Sequence, residues 1–516
     1  SGISVTGSVV ADGLTVDAVA LNTTLKTWHS NTDAVQFQSG SLWNYSTSQL
    51  NLGQTHMGDI KININSRDDI PRILLGLQSV YTDAQVRQDI ENILASVLSD
   101  KQISPGRHGM DMWSVFVLGI MRLNLNCDYD RLQELANEHR TLRQMLGHCF
   151  LDDDKCYALQ TIKDNVSLLT KEALDQLNST IVNHGHRLLG TTDKPLLARC
   201  DSFVVERNVH FPTDITLLFD ALCKAINLTA QACDRLNLSD WRQYSYNIRQ
   251  LKKALRKAQQ SKKGKKQDNI TQAHQAYLDQ AQLYLNTLSQ TLKKLDDFSR
   301  CSIQPYIDHG ARQFQQIYSR VIEHKTIESS KKVYSIFEPD TEWVNKGKAG
   351  NKIELGIKVS IMEDQHQFIL HHRVMRQEQD PDITVDIIKG TQINFPRLQG
   401  CSFDKGYYSA VNLAEAKKLI DKVVMPKKGK LNQSEKTQES DPEFIKTRHQ
   451  HSAVESAINC LEQHGLDRCP DKGKEGFDRY VACAILSRNI QRIGEIVQKK
   501  QRKQESRKKR KLSKSA

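Results

Sequence analysis

The spacing of apolar residues changes along this chain from a helical to a strand period, and the change occurs near residue 350. Between residues 217 and 321, apolar side chains recur every three or four positions, the period of a helix that buries one face. From 353 to 361 they alternate strictly with polar or small residues, and a second run at 368–374 follows a turn, which predicts a β-hairpin. Short strands are also predicted at 401–403 and 423–425, with a helix between them. This order indicates a helix-rich α/β fold with a mixed sheet flanked by helices.

Length and cysteine usage restrict the class of protein. A chain of 516 residues is too long for one hydrophobic core and should form several domains. The eleven cysteines are odd in number and include no C-x-x-C pair, so neither a disulfide framework nor a zinc ribbon is expected, and a reducing cytoplasm fits. No apolar run reaches the roughly 20 residues that cross a bilayer, and no secretion signal is recognisable. We therefore expect a cytoplasmic protein without a membrane span.

The two ends of the chain differ in composition from the rest. Residues 1–56 are rich in Ser, Thr, Asn and Gly, and we interpret them as an unrelated β- and turn-rich leader, fused or read through, ahead of a functional start at Met57. Residues 498–516 hold ten lysines and arginines against the single acid Glu505. Such a segment is expected to be a disordered basic tail, and blocks of this kind bind polyanions, of which nucleic acid is the commonest.

Residues 57–190 are predicted to be helical. Within them, 109–147 indicate an apolar helix, a break and a short second helix, which together resemble a helix-turn-helix that presents Arg140, Arg143 and Gln144 to a DNA groove. Any small helical hairpin gives the same pattern, so both interpretations stay open. The basic stretch at 261–266 joins two long predicted helices and is either a phosphate contact or a solvated connection.

Three acidic residues, far apart in the sequence, are predicted to converge. Asp201 opens a predicted strand and Asp404 closes another, so adjacent strands would bring the two carboxylates together. Glu455 lies on the polar face of a helix over 451–459, whereas Val454, Ile458 and Leu461 lie on another, apolar face. Two ionised carboxylates about 4 Å apart repel by roughly 4 kcal/mol at an effective dielectric near 20, so a third acid is plausible only with cations present. Magnesium suits such a site, and two ions suit an in-line displacement.

Each of these acids also has an ordinary structural explanation. Asp404 begins Asp-Lys-Gly, which is good turn chemistry. Asp201 would simply border a strand, and Glu455 would be a solvated surface glutamate, since glutamates are rarely buried.

Several segments in a fixed order favour the functional interpretation, because together they resemble insertion-sequence DDE transposases of the ISNCY type. The likeness covers residues 57–498 and excludes 1–56. The segments are RCDSFVVE at 199–206, HFPTD at 210–214, SIFEP at 335–339, KGKAG at 346–350, FDKGYYS at 403–409, VMPKKG at 424–429, HSAVESAIN at 451–459, LDRCP at 466–470 and RN at 488–489.

The resemblance implies a ribonuclease H-like catalytic domain over 191–497, with Asp201, Asp404 and Glu455 as its catalytic, metal-binding acids. It implies that the helical stretch at about 215–330 is an insertion between the first and second strands of that core, and that 57–190 is an N-terminal DNA-binding region. It also implies two Mg²⁺ ions, for which Mn²⁺ would substitute. The expected partners are double-stranded DNA, as terminal inverted repeats and target, and a second copy of the chain on DNA in the bacterial nucleoid.

The implied activity is hydrolysis at each transposon end, which frees a 3′-hydroxyl, followed by joining of that hydroxyl to target DNA. Further DNA contacts are predicted from basic and aromatic residues near strand ends or near the Glu455 helix; these are Trp343, Lys346, Lys348, Lys427, Lys428, Lys430, Arg448 and His451. The alternatives are packing for Trp343 and ordinary surface positions for the lysines. For the whole chain, the alternatives are a domesticated DNA-binding protein that no longer cleaves, and a phage structural fusion.

Overall fold

The computed structural model describes residues 54–99, 110–149, 154–261, 267–328, 331–345 and 353–515. The chain forms two compact units. The core unit consists of the described residues up to Val205 together with Lys358 onward, and the inserted unit is Glu206–Ile357. The predicted helical insertion at 215–330 therefore lies inside a longer inserted unit. The predicted N-terminal region at 57–190, by contrast, belongs to the core unit.

Helices account for most of the described chain. In order, they are α1 Asp69–Thr82, α2 Ala84–Ser99, α3 Met112–Asn124, α4 Tyr129–Glu138, α5 Arg140–Met145, α6 Leu159–Val166, α7 Lys171–Leu189, α8 Asp214–Arg235, α9 Tyr244–Ser261, α10 Gln267–Leu292, α11 Asp297–Ile317, α12 Asp380–Asn394, α13 Ala410–Leu419, α14 Gln433–Glu439, α15 Pro442–His451, α16 Ala453–Leu461 and α17 Gly473–Ser515. The strands are β1 Leu196–Arg207, β2 Glu342–Asn345, β3 Ile353–Asp364, β4 Ile369–Met375, β5 Leu398–Phe403, β6 Lys422–Val424 and β7 Arg468–Cys469.

The strands form one mixed sheet, as the sequence predicts. Its order is β2-β3-β1-β5-β6, with β4 on β3 and β7 on β1. β1 and β5 run parallel, as do β5 and β6, whereas β3 and β4 form the predicted antiparallel hairpin. One prediction is wrong: β1 begins at Leu196, so Asp201 lies in the middle of this strand rather than at its start.

A long C-terminal helix organises the core unit. α17 packs against α1, α3 and α7. From α17, the buried Asn489 side chain donates 2.7 Å to the Asn178 side chain on α7 and 2.9 Å to the Ile369 carbonyl on β4. The sequence predicts disorder from residue 498, whereas α17 continues to Ser515. Lysine and arginine are good helix formers, and this part of the helix is largely exposed.

The inserted unit has a hydrophobic core of its own, built from α8, α9, α10 and α11. The predicted helical stripes form this core: Leu251, Tyr277 and Leu288 are fully buried. Two buried polar groups in it are paired, since the Trp241 indole donates to Thr291 Oγ1 and the Tyr277 hydroxyl donates to the Ile215 carbonyl.

Within the ranges that the structure describes, no helix combines the length and the apolar character that a membrane span requires. All eleven cysteines lie within these ranges, and each is a free thiol. The leader up to residue 53, the basic stretch at 262–266, and Lys346 and Lys348 lie outside the described residues.

The crossing of α1 and α17 depends on glycine, which yields a prediction. A Cβ at Gly76 would overlap the Ile490 carbonyl oxygen, and a Cβ at Gly494 would overlap the Arg72 carbonyl oxygen. We expect Gly76→Ala to destabilise the protein by about 1–3 kcal/mol, because the helices must separate to admit a methyl group. Gly476→Ala is the matched control on α17, since its Cβ would meet only ordinary contacts from 3.5 Å outward. Thermal unfolding should show a lowered midpoint for Gly76→Ala alone; equal midpoints would contradict this helix crossing.

Candidate active site

The parallel pairing of β1 with β5 brings the first two predicted acids together. Cys200 pairs with Phe403 in the register of these strands, so the residues that follow, Asp201 and Asp404, lie at the same level. Asp201 is half-buried within β1, and Asp404 is exposed immediately after β5. The Asp404 carboxylate caps a short 3-10 turn by accepting a hydrogen bond of 3.3 Å from the Gly406 amide.

Buried side chains fix the turn that follows Asp404. The Tyr407 hydroxyl lies 2.8 Å from Ser360 Oγ on β3, and Ser360 Oγ lies 3.4 Å from the Cys200 thiol on β1. This chain of polar groups links the turn after β5 to two neighbouring strands, β3 and β1. It therefore ties the position of Asp404 to the same strands that carry Asp201.

Glu455 lies in the first turn of α16 with its side chain exposed. Val454, on the predicted apolar face, is fully buried, as is Leu461, whereas Ile458 is only half-buried. The single helix predicted over 451–459 is instead two helices, α15 and α16, which meet at Ser452. α15 packs against β5 and β6, and α16 packs against α17.

The neighbouring acids act on Asp201. Burial, together with the negative charges of Asp404, Asp380 and Glu455, raises the pKa of Asp201 to about 6, against the opposing hydrogen bond of 2.7 Å from the Ser202 amide. Asp201 thus carries the cost of a partly desolvated carboxylate among other carboxylates. Raised pKa values of this origin are concentrated at functional sites.

Asp380 is a fourth acid that sequence reasoning missed. It begins α12; its Oδ1 accepts a hydrogen bond of 2.7 Å from Ser202 Oγ, and its Oδ2 lies 3.6 Å from Lys358 Nζ. A Cβ at Gly406 would lie 3.0 Å from the Asp380 carboxylate and 3.6 Å from that of Asp404, so the glycine leaves room for both acids. The sequence contains one signal for its position: Asp380-Pro381, an acid followed by a proline, is typical of a helix start, and it comes directly after the predicted hairpin.

His451 lies beside the acids. Its Nδ1 is 3.0 Å from Ser402 Oγ on β5, and its Nε2 has no hydrogen-bond partner among the described residues. Burial lowers the pKa of His451; the charge of Arg199 lowers it too, against the opposing charges of Asp404 and Glu455. The imidazole is therefore neutral at pH 7 and offers one unused nitrogen.

The lysines after β6 differ in their availability. Lys427 is engaged, since its ammonium lies 2.7 Å from Glu435 and over the Tyr408 ring, whereas Lys428 and Lys430 are exposed. Arg448 is also exposed and lies 3.9 Å from Glu439. Trp343 belongs to the inserted unit, on β2, and is 37% exposed.

The predicted helix-turn-helix residues do not form a common surface. α5 has only six residues, and of the three candidates only Arg140 is exposed. Arg143 is buried and donates to the carbonyls of Asn137 and Lys155, so the expectation that it faces DNA is wrong. Gln144 is half-buried and lies 3.4 Å from Thr55 Oγ1. Arg143 and Gln144 are therefore engaged within the protein, whereas DNA binding by this segment stays a prediction.

The carboxylate oxygens of these acids are suitable ligands for a hard cation, but they do not form a complete coordination sphere. Carboxylate oxygens are the ligands that Mg²⁺ takes in proteins. Across the described ranges, however, no three His, Cys, Asp or Glu side chains lie close enough together to hold a metal ion. The charges of Asp404, Asp380 and Glu455 therefore act on Asp201, but the acids do not form a complete set of metal ligands.

Comparison with known proteins gives no match: no family model, no curated protein and no solved structure resembles this chain closely enough to be significant.

The raised pKa of Asp201 predicts a pH-dependent effect on stability. An acid whose folded pKa is raised destabilises the folded protein when it ionises, so stability is lost as pH rises from about 4 to about 6. Asp201→Asn removes this charge and should stabilise the protein at pH 7.5 without divalent cations by up to about 3 kcal/mol, with little effect at pH 4. Unfolding midpoints at both pH values test this prediction. The exposed Asp421→Asn is the control, and no gain for Asp201→Asn at pH 7.5 would refute the assignment.

Proposed function

We propose that this protein is a DNA transposase that cleaves the ends of an insertion sequence and joins them to target DNA. Its catalytic acids are Asp201, Asp404 and Glu455. The observation that carries the proposal is the pairing of β1 with β5, which places Asp201 beside Asp404, together with the pKa of about 6 that burial and the charges of Asp404, Asp380 and Glu455 give to Asp201. Clustered carboxylates of this kind suit phosphoryl transfer, in which charge neutralisation and positioning supply most of the catalysis.

A bound cation would offset the repulsion between the acids, and the repulsion between the acids and a phosphodiester. Asp201, Asp404 and Glu455 would hold two Mg²⁺ ions, or Mn²⁺ in their place. When bound, such ions stabilise the attacking and the leaving oxygen of an in-line displacement. The half-buried Asp201 supports this proposal, since its unfavourable ionisation is relieved by a nearby positive charge.

Neighbouring side chains would position the phosphate. If the Ser402 hydroxyl donates to Nδ1 of His451, the neutral imidazole carries its proton on Nε2 and can donate it to a phosphate oxygen. Arg448, Lys428 and Lys430 are exposed and would contact the DNA backbone. In the core unit, Lys358 forms an ion pair with Asp380, and Asp380 accepts a hydrogen bond from Ser202. These two contacts fix the strand beside Asp201.

The order of the elements supports a ribonuclease H-like core as part of the same proposal. The inserted unit separates β1 from the β3–β4 hairpin, which is where the resemblance to ISNCY-type transposases expects an insertion. The exposed basic end of α17 would bind DNA phosphates without sequence preference. Terminal inverted repeats and target DNA as partners, a homodimer on DNA and a place in the nucleoid belong to this proposal as well.

A strand-transfer assay tests the proposal. DNA that carries the ends of the protein's own element is incubated with protein and Mg²⁺ or Mn²⁺, and cleaved and joined products are separated by size. We expect Asp404→Asn to lower the rate about a hundredfold or more, the order of loss when one stabiliser of transition-state charge is removed.

Asp421→Asn is the matched control, because Asp421 is exposed and lies just before β6, at the end of this parallel strand opposite the acids. It should retain full activity. Equal activity of wild type and Asp404→Asn would overturn the catalytic assignment. DNA binding without any cleavage by the wild-type protein would instead favour the domesticated, non-cleaving alternative.

A further inference from the structure

The inserted unit contains a cavity of about 610 Å³ that the proposed chemistry does not use. It is lined by the start of α8, the end of α11, the segment that follows α11, and β2. Its volume falls in the range typical of small-ligand sites. Its lining includes Gln313, His324, Lys325, Lys332, Tyr334 and Trp343.

One wall of the cavity is aromatic. The Trp343 ring lies 5.5 Å from the Tyr334 ring, centroid to centroid and tilted by 35°, and 5.6 Å from the Phe211 ring. Trp343 is 37% exposed and Phe211 is 60% exposed, although large aromatic side chains are usually buried. Exposed rings beside a cavity form a platform on which a planar ligand can stack.

A second, independent observation is the side chain of Gln313, which also lines the cavity. Gln313 is only 1% exposed, yet neither its amide nitrogen nor its amide oxygen has a hydrogen-bond partner among the described residues. A buried polar group without a partner is costly, and native proteins generally retain such a group for a reason. A ligand that offers both an acceptor and a donor would satisfy both atoms of this amide.

The rim of the cavity carries basic side chains. Lys332 and His324 are exposed, the exposed Lys325 is paired with Glu323 at 3.1 Å, and Arg320 is neutralised by a two-point contact with Asp214, at 2.6 and 3.0 Å. The backbone is irregular at the same place: Tyr318–Ile322 is a π-helical turn, and His324 has a φ of +56°. Such turns and strained residues are often found at functional sites.

We propose that this cavity binds a single unstacked nucleotide. The base stacks on Trp343 and Tyr334, its edge pairs with the Gln313 amide, and its phosphate lies near Lys332. Adenine is the expected base, because its N6 donor and N7 acceptor match a glutamine amide and its two fused rings offer a larger stacking area than the single ring of thymine. The nucleotide is either part of a DNA single strand or free in solution. This inference does not depend on cleavage by the core unit.

Binding to the full-length protein tests the proposal. The heat of binding is measured by titration calorimetry with dAMP and with single-stranded oligo(dA) and oligo(dT), in the presence of duplex DNA that saturates the basic end of α17. We expect saturable binding that is tighter for adenine than for thymine. Trp343→Ala should weaken binding about tenfold, the scale of losing one base–aromatic stack. A much higher affinity for oligo(dA) than for dAMP identifies a strand as the source, and equal affinities identify the free nucleotide.

Gln313→Met separates recognition from folding, because methionine has a similar volume and removes both unpaired polar atoms. It should unfold at the same or a higher temperature than wild type and lose the preference for adenine. Trp343→Phe should restore most of the binding lost in Trp343→Ala. Phe298→Ala and Lys257→Ala change exposed residues outside the lining and should bind as wild type does.

Two results would overturn the proposal: no saturable binding of dAMP or oligo(dA), or unchanged binding by Trp343→Ala and Gln313→Met. If Trp343→Ala does not fold, Lys332→Ala and Tyr334→Leu provide the same comparison. If the protein binds nucleotide but does not perform strand transfer, this inference holds and only the proposed catalytic function fails. If it performs strand transfer but does not bind nucleotide, the catalytic function holds and this inference fails.

Discussion

The parallel pairing of β1 with β5 is the interaction on which the candidate site depends. This pairing places a residue from the interior of one strand beside the first residue beyond another, although the two are about 200 positions apart in the sequence. Ser360 and Tyr407 then fix the turn after β5. A shift of one residue between the strands would point Asp201 to the opposite face of the sheet and separate it from Asp404.

The site is electrostatically unfavourable in the absence of a cation. Burial and three neighbouring carboxylates raise the pKa of Asp201, and only the Ser202 amide opposes them among the named influences. Lys358 provides a partial counter-charge, but it acts on Asp380 rather than on Asp201. The fold thus carries a local cost that packing elsewhere in the core unit offsets, including the buried Asn489 network and the α1–α17 crossing. Such costs are typical of sites selected for binding or chemistry rather than for stability.

Local patterns predicted much of this structure. Strict alternation gave the β3–β4 hairpin, and the helical stripes gave the core of the inserted unit, because both signals arise from neighbouring residues. Other features depend on contacts between distant segments. β1 starts five residues before Asp201. Leu196 and Ala198 are buried there by pairing with β5, a contact that local sequence patterns do not reveal. Asp380 joins the acids only through the packing of α12, and Arg143 turns inward because two carbonyls accept its guanidinium. The break at Ser452 likewise separates a helix that packs on the sheet from one that packs on α17.

The central claim is that Asp201, Asp404 and Glu455 together bind divalent cations. The most direct measurement is an anomalous difference map from crystals of the wild-type protein grown with Mn²⁺. The proposal predicts at least one strong peak in contact with the carboxylates of Asp201 and Asp404, with Glu455 moved to contact the same ion or a second one beside it. A map with Mn²⁺ bound elsewhere on the protein and no peak at these carboxylates would contradict the claim.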